Sequence, residues 1–90
     1  MEIGTIVLSK RGRDKGRSFV VIAIDGEYTF LADGNMRPLC KPKKKKTKHI
    51  QPTNTVLGFF KTQEHLPGGL KDADIRKWLN AFNNRLTADT

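Results

Sequence analysis

The chain has a single cysteine, Cys40, among 90 residues, so it cannot hold an internal disulfide, and a reducing compartment is expected. No apolar run approaches the ~18–20 residues of a membrane span. Met1-Glu2-Ile3-Gly4 lacks both the basic and the apolar region of a secretory leader. The expectation is a cytoplasmic protein with no membrane partner. Histidine is as scarce as cysteine. His49, His65 and Cys40 stand in separate segments and leave a closed tetrahedral zinc site one ligand short. No phosphate-binding glycine loop with its lysine, nucleophile elbow or paired-carboxylate arrangement is present. Cys40 could serve as a nucleophile with His49, but a buried cysteine acting as a small hydrophobe is the commoner case. No catalysis, metal or cofactor is therefore expected.

Acidic residues are few as well: nine Asp and Glu stand against seventeen Lys and Arg, for a net charge of +8. The excess is uneven, with +7 in residues 1–50 and +1 in residues 51–90, so a partner selected by charge meets the N-terminal half. The chain is 37% apolar with seven aromatics, the composition of a folded protein rather than a disordered tail. Its length suits one domain with a small core and no deep substrate cavity.

The first fifty residues read as short strands joined by turns. Thr5 to Leu8 is apolar and β-branched, Lys10 to Arg17 is a glycine-punctuated loop, and Phe19 to Ile24 is apolar without alternation. The last pattern requires cover on both faces. Asp25-Gly26 marks a tight turn, followed by a half-exposed strand over Tyr28 to Ala32, whose Tyr28 and Phe30 are expected in the core rather than as base-stacking platforms. Asp33-Gly34-Asn35 is another turn. Met36 to Cys40 predicts a short strand, edged or bulged because of Pro38, and Thr47 to Gln51 a last strand ended by Pro52. Five short strands in so little chain suggest a small barrel that closes to protect its edges.

Beyond a linker over 55–69, which includes Phe59, Phe60 and the hinge-like His65-Leu66-Pro67-Gly68-Gly69, the period changes. Ile75, Trp78, Leu79, Phe82 and Leu86 form one stripe of an amphipathic α-helix over 70–87. Asp72 is placed to cap it, with Asp74 in the first turn. Arg76, Lys77, Asn80, Asn83 and Arg85 fall on the polar surface. The stripe can close the uncovered face of the sheet, burying Trp78, or anchor a protein partner; a small domain's need for core favours the first use.

Two constellations carry the charge. Lys10, Arg11, Arg13, Lys15 and Arg17 surround Gly12 and Gly16, glycines that let a backbone turn tightly and approach a phosphate while the cations grip its oxygens. Lys41, Lys43, Lys44, Lys45, Lys46 and Lys48 form a second loop over 41–48 without one acidic neighbour. Like charges at this density repel, so an extended, mobile segment that orders on a phosphate chain is expected. The competing reading of both is a solvated loop that only confers solubility.

Gly4-Thr5-Ile6-Val7-Leu8-Ser9, then Gly12-Arg13-Asp14-Lys15-Gly16, then an apolar strand ending at Asp25, resembles the KOW motif of ribosomal proteins and transcription elongation factors. With Phe30-Leu31-Ala32-Asp33-Gly34, the lysine loop and His49-Ile50-Gln51-Pro52-Thr53, residues 3–54 are similar to KOW-type large-subunit ribosomal proteins of archaea and eukaryotes and to their short bacterial relatives. The resemblance implies a mainly β fold, a five-stranded Src-homology-3-like (SH3-like) barrel over 1–54, which docks on ribosomal RNA through its loops. It places RNA contacts on Lys10, Arg11, Arg13, Lys15 and Arg17, with Gly12 and Gly16 shaping the loop. Residues 55–90 lie outside it.

The expected function is thus non-catalytic RNA binding in translation, by a protein that is monomeric when free. The alternative is a protein-interaction module that docks on ribosomal or transcription proteins, its lysines supplying non-specific nucleic-acid affinity.

Overall fold

The computed structural model describes residues 1–57 and 71–88. The protein is mainly β. Strands β1 (Thr5–Ser9), β2 (Ser18–Asp25), β3 (Tyr28–Ala32), β4 (Lys43–Lys46) and β5 (Ile50–Val56) form one antiparallel sheet in the order β4-β3-β2-β1-β5, followed by helix α1 (Asp72–Ala88). Asp25 pairs with Tyr28 across the β2–β3 turn, where Gly26 takes φ 58°, a conformation that favours glycine.

The edge strands β4 and β5 are joined only by a single 3-10 turn, Thr47–His49. At about 2 Å per residue that link covers roughly 8 Å, whereas strands four places apart in a flat sheet lie about 19 Å from one another. The sheet must therefore curl strongly to bring its edges together. It stays open among the described residues, since no ladder joins β4 to β5. Single bonds tie the corner instead: the Lys10 amide donates to the His49 carbonyl at 2.9 Å, and the Thr47 amide to that of Glu27 at 2.8 Å.

Curling gives the sheet two apolar faces, and β2 serves both, as its unalternating sequence requires. On the concave side Val7, Phe19, Val21, Leu31 and Ile50 are buried together. On the convex side Ile6, Val20 and Ala32 are buried against Ile75 and Leu79 of α1, with Ile22, Leu39, Leu57, Trp78 and Phe82 packed around them. Burying each of these helix anchors contributes about 1.5–3 kcal/mol.

Several local expectations are corrected. Trp78 is only half-buried, and Ile75 and Leu79 are the deep anchors. The side chain of Leu86 and most of the 55–69 linker lie outside the described residues. Tyr28 and Phe30 are half-buried and pair with Lys46 and Lys44; they point away from the concave core that Leu31 enters. No strand forms over Met36 to Cys40, and Cys40 is exposed rather than a core residue. Asp72 does not cap its own helix: its Oδ1 accepts the Leu39 amide at 2.7 Å and so holds that irregular segment. Lys71 precedes the first turn, its carbonyl accepting the amides of Asp74 and Ile75, while its own amide donates to Asp74 Oδ2 at 3.3 Å. Pro52 does not end β5 but lies inside it, opposite Val7. An edge strand tolerates proline because the missing N–H can fall on its unpaired side.

Candidate nucleic-acid interface

The β1–β2 connection is a compact structure, not an open loop. Gly12 and Gly16 hold φ 89° and 87°, which lets the chain reverse twice. Backbone bonds from Gly16 to Ser9 (2.8 Å), Ser9 to Arg17 (3.0 Å) and Arg17 to Asp14 (2.9 Å) then staple it. At its centre is Asp14, 7% exposed, the single acid in a run of cations. Its Oδ1 accepts the Ser9 hydroxyl at 2.9 Å and lies 3.0 Å from Lys45 Nζ, while Oδ2 lies 2.5 Å from Lys43 Nζ. Lys45 Nζ also donates to Ser9 Oγ and to the Arg11 carbonyl, both at 2.6 Å.

These contacts determine the acidity of Asp14. Burial alone would raise its pKa, but the hydrogen bonds from Lys43, Lys45 and Ser9 and the charge of Lys43 outweigh burial and hold the carboxyl well below the usual carboxylate range. Asp14 is therefore ionised at neutral pH.

The lysine run is corrected from a mobile loop to strand β4. Its register on β3 sets Lys45 opposite Thr29 and Lys43 opposite Leu31, both partners buried. Period-two alternation then turns Lys43 and Lys45 inward and Lys44 and Lys46 outward. Lys44 Nζ sits 4.4 Å from the centre of the Tyr28 ring, a cation–π contact.

The structure thus sorts the cations nominated by sequence. Lys45 is buried and Lys43 half-buried, both bound to Asp14. Lys10, Arg11, Arg13, Lys15, Arg17, Lys41, Lys44, Lys46 and Lys48 are exposed, and among the described residues none forms a salt bridge. His49, which the sequence reading did not count among the contact residues, lies among them. Burial, then the charges of Arg11, Lys48, Lys45 and Lys46, lower its pKa. The structural weight of Asp14 was also missed; the signal was its isolation, one carboxylate among five cations.

Chemically, the arrangement is a set of outward cations held on a backbone stapled from within, suited to several phosphate oxygens at once. Among the described residues no group of three His, Cys, Asp or Glu side chains comes together, and no helix is long and apolar enough to cross a membrane. Compared with known proteins, the sequence matches no protein-family model and no curated protein.

Proposed function

We propose that this protein is a non-catalytic RNA-binding protein of the KOW type, its curled sheet an SH3-like barrel that docks on ribosomal RNA. The observation that carries the reading is the sorting of charge around Asp14. One buried carboxylate takes up Lys43 and Lys45 and stiffens the hairpin, while nine outward cations keep no acidic partner among the described residues. Unneutralised charge on an ordered scaffold costs stability through self-repulsion, and a polyanion relieves it by releasing its own counterions. The choice of RNA, and of ribosomal RNA, rests on the KOW-like glycine spacing and the His49-Ile50-Gln51-Pro52-Thr53 ending.

The test is a salt titration of affinity for ribosomal RNA fragments. Each phosphate contact contributes about 0.7–0.9 to the slope of log affinity against log salt, so replacing Arg11, Arg13 and Lys15 by Gln should flatten the slope by about 2–3 with folding intact. An affinity that ignores salt, or a protein that never sediments with the large ribosomal subunit at low salt, would instead favour a protein-docking module.

A further inference from the structure

Away from the lysine strand, a cleft of about 450 Å³ opens where the 33–35 turn meets α1. It lies in the size range of small-molecule sites. Two features build it. Gly34 packs so tightly on α1 that an added Cβ would fall 2.3 Å from the Asp72 carbonyl oxygen, and Arg76 Nη1 donates to the Gly34 carbonyl at 2.5 Å. Arg76, Asn80 and Asn83 then follow at i, i+4 and i+7, one polar stripe of α1 along a wall of the cleft. Arg17 faces them from the residue just before β2, and the buried Leu79 contributes an apolar floor.

We propose that this cleft holds one unpaired nucleotide of the bound RNA, its phosphate on Arg17 and Arg76 and its base edge on the Asn80 amide. This rests on the RNA reading above and deepens it. A guanidinium carries five donors, and Arg76 spends one on Gly34, so the rest can serve a phosphate. The Asn80 side-chain amide makes no hydrogen bond among the described residues and is exposed in the cleft; a carboxamide pairs a donor with an acceptor, the combination that base edges present. Asn83 is held in place, its Oδ1 accepting the Ser18 hydroxyl at 3.0 Å. Asp33 also lines the cleft. Its Oδ1 accepts the amides of Asn35 and Arg37, both at 2.8 Å, which spreads its charge into the turn. The site depends on α1, beyond the region that resembles the KOW motif.

The experiment titrates the full chain with the four nucleoside 5′-monophosphates and, separately, with ribose 5-phosphate, following backbone and side-chain amides by NMR. The expected result is a saturable shift of the Asn80 side-chain amide with at least one nucleotide. Affinity should fall about five- to tenfold for ribose 5-phosphate, and as much for the nucleotide in Asn80→Ala followed at the backbone amides of Arg76 and Asn83, the weight of one or two net hydrogen bonds. Equal response to nucleotide and ribose phosphate, or shifts confined to residues 10–15 and 44–48, would overturn the proposal. Salt-sensitive RNA binding that Asn80→Ala leaves unchanged would also sink the cleft while sparing the RNA reading. Nucleotide shifts at Asn80 in a chain that binds no RNA would uphold the cleft's nucleotide chemistry and remove its RNA context.

Discussion

Lys45 Nζ lies 3.0 Å from Asp14 Oδ1, with both side chains 9% exposed, and this pair joins an edge strand to a hairpin 31 residues earlier in the chain. Taking two charges from water is costly, and it succeeds here because Ser9, Arg11 and Lys43 complete the hydrogen bonding around them. Removing one member leaves the other buried and uncompensated, at a cost of about 3–5 kcal/mol. Asp14→Ala should therefore destabilise the fold by about that much in urea unfolding followed by circular dichroism. Lys46→Gln should change it by less than about 0.5 kcal/mol, as exposed sites do, and Lys44→Gln by no more than about 1 kcal/mol, the weight of its contact with Tyr28. Equal effects at Lys44 and at Asp14 would mean that the strand's alternation is wrong.

The same carboxylate sets an acid limit on stability. Its pKa is lowered in the folded state, so its contribution is complete above the unfolded value of about 3.9 and is lost as pH falls through the folded one. Wild-type stability should hold from neutral pH to about 5 and then decline. Asp14→Asn should be less stable at neutral pH, with the gap to wild type narrowing below pH 4. A gap that stays constant down to pH 2 would contradict the pairing.

Gly34 is where the sheet admits the helix. Its φ of 75° alone would strain any other residue by about 1–3 kcal/mol, and the clash with the Asp72 carbonyl adds to that. Gly34→Ala should lower the melting temperature by at least about 4–8 °C, the shift expected per kcal/mol for a domain of this size. An unchanged melt would show that α1 docks without this close approach.

His49 offers an internal probe of the cationic surface. Its pKa is lowered by burial and by the cations near it; a bound phosphate chain neutralises those cations and must raise it. RNA binding should then take up protons, so affinity should rise as pH falls through the pKa of the bound state, and His49→Gln should lose that dependence. NMR titration of the imidazole with and without RNA measures both values. A pKa that RNA leaves unmoved would place the phosphates away from Lys48 and Arg11.

The residue pattern by itself determined the first three strands, the turns at Gly26 and Gly34, the terminal helix and the excess of positive charge. These are local properties: β-branched runs, glycine chemistry and an i, i+3, i+4 stripe act over a few residues and survive in any surroundings. The lysine run was illegible because identical side chains give no period, and repulsion between them argued for a loop. Only pairing with β3 gave that run an inside and an outside. Only the curl of the sheet brought Lys45 over Asp14, where a carboxylate that looked like one more loop residue became the group on which the hairpin is fixed. Contacts between residues so far apart in sequence depend on how the strands close on one another, and for that reason tertiary structure alone decided which cations hold the fold together and which stay exposed without an acidic partner among the described residues.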